Sequence, residues 1–463
     1  MQSNSSPPDR PFEPFAPSTS DPFDTRRICH LLRRTSFAAT PQRVEAAAKK
    51  SPAQVIDGLL NFDAENDPFD SLVSGLEGFV NFTQPASVAS YWLYRMVNSP
   101  QPLQERIALF WHGRWATGSA KVDNGRLMHQ QIQTFREKGL GSFRELAVAM
   151  GQDPAMLIWL DGQTNRKGKP NENYAREVME LFTLGIGNYT ERDVKELARA
   201  FTGWRVQDEQ AVFDPKQHDD DVKEVLGKKG DFDSESAVDV LLSQPAAPKH
   251  LAKHLLQEFV HPEPQEDQID HYAKRLIDHE WNIKAVLREM LASRLFFSDW
   301  AYRARIKSPV ELAVGAALAM GGKVSSDFLR EQTIRLGQNL LNPPNVKGWP
   351  GGYAWINSNT VLLRFNFAMA MATQRQREFV RKAALDEWLE KHKIKTADDV
   401  LDHFALTLLD GQLPSDARSK LLDYMNRDAK NNEKPFKLTA DTINSKVRGV
   451  LHMMMTMPEY QLA

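Results

Sequence analysis

The sequence predicts an all-α protein, built as one large helical domain in two lobes with long irregular loops. Apolar residues recur at three- and four-residue steps in most segments after residue 25, which is the spacing of one face of an α-helix. Period-two alternation over four or more positions is hard to find, and β-branched clusters are scarce. Both observations argue against extended sheets.

The expected helices follow one another along the chain. In the first half the clearest apolar stripes run through 86–98, 101–116, 143–151, 171–185 and 191–204. In the second half they run through 249–260, 269–279 and 283–293. A threonine followed by a proline at 40–41 is a typical N-cap and first-turn pair.

Three segments interrupt this pattern. Residues 1–24 contain six prolines, five serines and few apolar residues, so we expect a disordered tail, or a strap that lies on the domain surface through Phe12, Phe15 and Phe23. Residues 207–239 carry eleven Asp or Glu and form a polar excursion between possible lobes 25–206 and 240–463. Residues 342–359 are rich in Pro, Gly and Asn but contain three aromatic residues, which predicts an ordered loop.

The composition argues against several classes of protein. With 58 Lys+Arg and 60 Asp+Glu the net charge is −2, so there is no global basic field and nucleic acid is not an expected partner. The single Cys29 excludes a disulfide scaffold. The longest weakly polar run, 309–322, is shorter than the roughly 20 residues that cross a bilayer. Without an apolar signal segment at the N-terminus we expect a cytoplasmic protein, or an exported one if a signal was removed.

Seven strings occur in order that together characterise one family. They are LLRRTSF (31–37), LFWHGRW (109–115), AMLIWLDGQTN (155–165), PNENYAREVMELFTLGIGNYTERDVKELARAFTGW (170–204), HDDDVKEVLGKKGDF (218–232), KSPVEL (307–312) and NPPNVKGWPGGYAWINS (342–358). The chain resembles the bacterial family named domain of unknown function 1800 over about residues 25–463. The resemblance implies a helical protein. It also implies, as a candidate partner, a second family related to sulfatases and phosphatases that is often encoded beside it. No established reaction comes with the resemblance.

The helix expected at 171–185 carries the strongest candidate chemistry. Glu177 and Glu180 are three residues apart, so a helix can bring the two carboxylates together. Such a pair forms an acid/base couple or binds a hard cation. The alternative is a solvated face with helical ion pairs, in which Arg176 pairs with Glu172 or Glu180. The catalytic candidates here are Glu172, Glu177 and Glu180, and the substrate-binding candidates are Asn171, Asn173 and Arg176.

His218 and Asp219 open the polar excursion. A histidine beside carboxylates can ligate a divalent metal or shuttle protons, so His218 is a further catalytic candidate. The alternative is a loop held by side-chain to backbone hydrogen bonds. The cofactor is unknown. A divalent metal is one candidate, with Glu177, Glu180, His218 and Asp219 as its ligands.

Aromatic residues supply the remaining binding candidates. His112 and Trp115 lie in FWHGRW and form a pocket wall, or alternatively sit in the core. Lys347 and Trp349 of the VKGWPGG loop, with Arg364 downstream, form a sugar- or anion-binding lip, or else a braced turn that places its Trp in the core.

These residues favour an enzyme that performs acid/base or metal-assisted hydrolysis or transfer on a glycan or another polymer. The alternative is a non-catalytic binding or assembly protein that acts with a partner enzyme through the VKGWPGG loop and the PFEPF segment of the tail. A ferritin-like site is rejected because no Glu-x-x-His occurs on an expected helix. An EF-hand is rejected because Leu242 stands where its last Glu belongs.

Overall fold

The computed structural model describes residues 6–62, 80–373 and 384–463, with single positions at 69, 71, 73, 75 and 78. The expectation of an all-α protein is confirmed. The α-helices are α1 Thr25–Thr35, α2 Pro41–Ala48, α3 Pro52–Leu60, α4 Pro85–Asn98, α5 Pro102–Arg114, α6 Ser119–Val122, α7 Gly125–Lys138, α8 Phe143–Gly151, α9 Pro154–Trp159, α10 Asn173–Glu177, α11 Glu191–Ala200, α12 Ser234–Leu242, α13 Ala246–Phe259, α14 Glu266–Asp278, α15 Ile283–Ala292, α16 Pro309–Ala319, α17 Ser326–Arg335, α18 Ser358–Thr373, α19 Ala384–Lys391, α20 Ala397–Leu409, α21 Ser415–Met425, α22 Ala440–Thr442 and α23 Arg448–Thr456.

Local sequence explains where many helices begin. Ser51, Thr190 and Ser308 each accept a hydrogen bond from the backbone N–H three residues on, and the side chain at that third position accepts one from the cap residue in return. This reciprocal arrangement satisfies two backbone donors that the first turn would otherwise leave unpaired. Proline in the first turn, where no N–H is needed, starts α2, α4, α5 and α9.

Two small antiparallel hairpins that the periodicity did not predict lie at the start of the polar excursion and within it. Strands β1 (Trp204–Gln207) and β2 (Gln210–Phe213) pair with Trp204 opposite Phe213. Strands β3 (Lys223–Val225) and β4 (Lys228–Gly230) pair with Lys223 opposite Gly230. Both turns have two residues at positive φ, the backbone that suits a two-residue hairpin.

A continuous apolar core joins the two halves of the chain. Buried residues from both sides of the excursion, including Ile28, Phe143, Leu255 and Leu451, belong to one contact cluster.

A buried charge cluster also fixes α4, α5 and α7, since Glu105 accepts hydrogen bonds from Trp92 Nε1 at 3.0 Å, Arg95 Nε at 3.1 Å and Arg136 Nε at 3.1 Å. None of the helices in the described part of the chain is both long and apolar enough to span a membrane.

The N-terminal segment lies against the helical body as a strap. The Phe15 N–H donates to the Ala292 carbonyl at 2.8 Å, and the Arg294 N–H donates to the Glu13 carbonyl at 2.9 Å. Phe12 stacks on His271 with ring centroids 3.8 Å apart, and Phe15 is buried. The expectation of disorder is therefore wrong for residues 6–24, because a few well-spaced aromatic side chains dock a proline-rich segment. The strap alternative describes it.

Candidate functional site

The helix that carries the candidate carboxylates changes type in its middle. The α-helical turn α10 (Asn173–Glu177) leads directly into a π-helical segment, Val178–Thr183. The Thr183 hydroxyl donates to the Val178 carbonyl at 2.6 Å, five residues back, and the Leu184 N–H donates to the Met179 carbonyl at 2.9 Å. Short π-helical turns are uncommon and are often found at functional sites. Glu177 is the last α-helical residue, and Glu180 lies within the wider turn.

Glu180 is held in place by two neighbours. Its Oε2 accepts a hydrogen bond from the Tyr189 hydroxyl at 2.8 Å. Its Oε1 lies 3.8 Å from Lys347 Nζ, on the VKGWPGG loop. Burial, together with the adjacent Glu180 carboxylate, raises the pKa of Tyr189 to about 12. Glu180 therefore remains a hydrogen-bond acceptor in a fixed orientation.

Glu177 is in a different environment. It is half-buried, and its carboxylate makes no hydrogen bond or ion pair within the described part of the chain. Burial raises its pKa, and the neighbouring Glu180 raises it further, while Lys347 and Arg176 act in the opposite direction. The two carboxylates thus differ, because one is anchored and the other is unpartnered and easier to protonate. Two neighbouring carboxyl groups in different environments are the usual arrangement for acid/base chemistry.

The remaining candidates at the start of this helix have structural partners. Arg176 pairs with Glu172 at 3.1 Å and with both carboxylate oxygens of Glu191 at 2.6 and 2.8 Å, and not with Glu180. Asn171 donates to the Thr164 hydroxyl at 3.1 Å. Asn173 donates to Asp161 at 3.1 Å. Glu172 is therefore part of an ion-pair network and is further from a catalytic role than Glu177.

Asn171 lines a polar cavity of about 590 Å³ beside the start of this helix. Amide and cationic side chains form most of its wall, namely Gln163, Asn165, Arg166, Lys169, Arg205 and Gln217. Such a lining suits a ligand with many hydroxyl or carboxylate groups.

His218 and Asp219 lie apart from the Glu177–Glu180 pair. His218 Nδ1 contacts the Thr202 carbonyl at 3.0 Å, and Asp219 accepts two hydrogen bonds from Arg199 at 2.7 and 3.1 Å. The Arg199 hydrogen bonds hold the pKa of Asp219 below its usual value. These contacts fasten the excursion to the end of α11, as the loop alternative described.

The four candidate metal ligands do not converge. Among the described residues, only Asp219, Asp220 and Asp221 bring three ligand atoms within 4.8 Å of one another. Asp219 is already paired with Arg199, and Asp220 is paired with Lys167. Glu177 and Glu180 do not join His218 or Asp219 in such a group among the described residues.

His112 and Trp115 are core residues and not the wall of an open pocket. His112 Nε2 accepts a hydrogen bond from the Leu341 N–H at 3.0 Å, and burial lowers the pKa of His112 to about 3. Trp115 is 1% exposed and stacks on Phe182 with centroids 4.4 Å apart. A packed ring of this kind cannot contact a substrate, so these two binding assignments are wrong for this conformation.

The VKGWPGG loop is ordered and closely packed on α5. Gly348 has φ +76°, and a Cβ there would lie 2.3 Å from the Gly113 carbonyl oxygen, so only glycine fits. Lys347 is exposed and faces Glu180. Trp349 is half-buried and lines a cavity, with its ring centroid 5.5 Å from that of His112. Arg364 is buried and donates to Gln461 and to the Lys307 carbonyl, so it does not form an exposed lip.

Sequence spacing identified Glu177 and Glu180 but missed Tyr189, the residue that anchors one of them. Tyr189 lies beyond the helix, on a turn whose position depends on the π-helical segment, and no pattern in the sequence marks that segment.

The fold and this site define a mainly helical protein with two unequal carboxylates beside an aromatic loop. The family model described as Protein of unknown function (DUF1800) matches residues 30–462, and the chain belongs to this family. The resemblance drawn from the sequence strings is thereby confirmed. No curated protein and no solved structure matches the chain.

Proposed function

We propose that the protein is an acid/base enzyme in which Glu177 transfers the proton and Glu180, anchored by Tyr189 and Lys347, is its partner carboxylate. The observation that carries this proposal is the contrast between the two carboxylates. Glu177 is half-buried without a partner and has a raised pKa, whereas Tyr189 and Lys347 fix Glu180. A carboxyl group whose pKa is moved toward neutrality donates and accepts protons more readily at physiological pH.

The reaction class is hydrolysis or transfer on a glycan or another polymer. Two carboxylates of unequal pKa are the groups that glycoside hydrolysis uses. The polar cavity beside Asn171, lined by amides and cations, supports a hydroxyl-rich or acidic chain as the substrate.

The test measures the release of reducing ends from a panel of neutral and acidic polysaccharides. We expect Glu177→Gln to retain the fold, by circular dichroism, and to lose about 100-fold or more of the rate, the usual contribution of one acid/base group. Glu180→Gln should also lose activity. Glu145→Gln, an exposed glutamate on α8, is the matched control and should retain it. Full activity in both Glu177→Gln and Glu180→Gln contradicts the proposal.

A second candidate, a binding or assembly protein that serves a partner enzyme, is favoured by one surface. Leu362, Phe365 and Met369 form an exposed apolar stripe on α18, and Tyr353 on the preceding loop is 68% exposed. Exposed apolar groups that cluster mark contact sites. The partner would be a protein of the sulfatase- and phosphatase-related family. The PFEPF segment is less available for contact because it is docked on the body.

This candidate is tested by size-exclusion chromatography with such a purified partner. A complex that forms with the wild type and with Glu177→Gln, but not with Leu362→Ser/Met369→Ser, supports a binding role. No complex with the wild type argues against it.

A further inference from the structure

Two adjoining cavities lie beside the VKGWPGG loop, the first against α5 and the second against α18 and the C-terminal segment. The first has a volume of about 330 Å³ and the second about 430 Å³. Pro262, Ile306 and Gly352 line both of them, so the cavities share a wall. Each volume is within the range of small-molecule sites.

The first cavity is lined by charged side chains from four parts of the chain. Arg106 Nη2 lies 2.7 Å from Glu258 and 2.5 Å from Glu311. Arg305 lies 3.1 Å from Glu258 and 3.3 Å from Glu311. Arg114, at the end of α5, also lines this cavity. Three guanidinium groups therefore face two carboxylates.

A fourth arginine, Arg34, adds another guanidinium group to this cluster of arginines and glutamates. Arg34 is fully buried and interacts electrostatically with Arg106, Arg305 and both carboxylates. Its one hydrogen bond in the described structure is from Nη2 to the Ala301 carbonyl at 2.7 Å, and its Nε and Nη1 have no partner there. Arginines therefore outnumber glutamates in the cluster, and burial together with Arg305 and Arg106 lowers the pKa of Arg34 well below its usual value. Buried charge is costly unless it is neutralised, so the cluster is electrostatically incomplete without an anion.

Arg114 is the cation that remains available. It makes no hydrogen bond or ion pair with any described residue, and its guanidinium lies 5.8 Å from the Phe110 ring. Burial lowers its pKa, which Glu258 partly offsets. An arginine presents a planar set of donors that matches the oxygens of phosphate. The side chain is placed to bind an anion that enters the first cavity.

The second cavity has an apolar wall. Ile356, Val361, Phe365 and Leu462 line it. Arg303 and Arg364 also reach it but are occupied, because Arg303 pairs with Asp410 at 3.4 Å and Arg364 donates to the Lys307 carbonyl at 2.7 Å. An anion at the first cavity could therefore extend an apolar group into the second.

We propose that the joined cavities bind a phosphate monoester of an apolar alcohol, with the phosphoryl group at Arg106, Arg114 and Arg305 and the apolar group against Val361 and Phe365. A phosphate monoester carries close to two negative charges at pH 7.5, so it would supply negative charge to a cluster in which arginines outnumber glutamates. The proposal does not depend on Glu177, so its test is independent of the test of the acid/base function.

Isothermal titration calorimetry at pH 7.5 tests this with three probes: inorganic phosphate, hexyl phosphate and hexanol. We expect hexyl phosphate to bind the wild type at least about tenfold more tightly than inorganic phosphate, since two buried methylene groups suffice for about that factor. Arg114→Gln should weaken both phosphate probes at least about tenfold. Arg335→Gln, at an exposed arginine on α17, is the matched control and should bind as the wild type does. Glu177→Gln should also bind normally.

Val361→Gln separates the two halves of the site. It should weaken hexyl phosphate and leave inorganic phosphate unchanged, and it keeps the proposal testable if Arg114→Gln does not fold. If the wild type binds inorganic phosphate and hexyl phosphate with equal affinity, the site binds a free anion, and the proposal that its ligand is a phosphate ester is wrong. The proposal of a phosphate site is wrong if the wild type binds neither phosphate probe. It is also wrong if folded Arg114→Gln binds these probes as tightly as the wild type does. If hexanol binds as tightly as hexyl phosphate, the arginines do not contribute to binding through a phosphoryl group, and their proposed role is wrong.

Discussion

Replacing Glu311 by Gln removes one of the two carboxylates that neutralise the buried arginine cluster. Glu311 Oε1 contacts Arg106 and Arg305, and Oε2 accepts the Ser308 N–H at 2.7 Å in the cap of α16. Although burial opposes ionisation, Arg106 and Arg305 hold the pKa of Glu311 below its usual value. Glutamine retains an oxygen for the Ser308 N–H, so the cap hydrogen bond is preserved and the main loss is the negative charge.

The expected cost is about 3–5 kcal/mol of unfolding free energy, the usual result of removing one partner from a buried charge pair, because Glu258 alone then remains to neutralise Arg106 and Arg305. Urea unfolding, followed by circular dichroism, should show a lower midpoint with an unchanged slope. Glu45→Gln is the control. It breaks an exposed i,i+4 pair with Lys49, so its urea midpoint should stay close to that of the wild type. A Glu311→Gln variant within about 1 kcal/mol of the wild type would refute the claim that this carboxylate neutralises the cluster.

Three further predictions follow from other contacts. Lys347→Ala removes one of the two cations that lower the pKa of Glu177. The alkaline limb of the pH–activity profile, where Glu177 loses the proton that it transfers, should then move to higher pH, and an unmoved limb would contradict that contact. Burial raises the pKa of Asp153 to about 7. Since the native state then binds more protons than the unfolded state between about pH 4 and pH 7, unfolding free energy should fall as pH rises through that window, by up to about 4 kcal/mol. Asp153→Asn should abolish this fall in chemical denaturation at several pH values. Phe15→Ala should cost about 3 kcal/mol of docking and speed proteolysis within residues 6–24 about 100-fold, whereas an unchanged cleavage rate would show that Phe15 does not hold the strap.

Helical periodicity was sufficient to predict the fold class, because most helices bury a clear apolar face. The hairpins at 204–213 and 223–230 escaped prediction because three or four residues are too few to show alternation. The first hairpin turns at Asp208 and Glu209, both at positive φ, where the usual signal would be Asn-Gly. The sequence left a surface strap and a disordered tail as alternatives for residues 1–24, because docking of the strap depends on long-range contacts such as Phe12 with His271.

The candidate site was predictable only in part, for similar reasons. Helical spacing placed Glu177 and Glu180 on one element, but the contacts of Glu180 with Tyr189 and Lys347 come from tertiary structure. His112 was ambiguous because an aromatic helix face is compatible with either a pocket or the core. The arginine cluster gave no local signal at all, since its members come from well-separated segments and meet only in the folded chain.

The most direct test of the account is the pKa of the Glu177 carboxyl group, measured by NMR titration of ¹³Cδ-labelled glutamate and assigned with Glu177→Gln. We expect a pKa above the usual value of about 4.3 in the wild type. It should fall in Glu180→Gln, because the neighbouring negative charge is removed, and stay unchanged in Glu145→Gln. The assignment of this pair as an acid/base couple would be contradicted by two results together. The pKa of Glu177 would lie at or below the usual value, and it would be the same in Glu180→Gln as in the wild type.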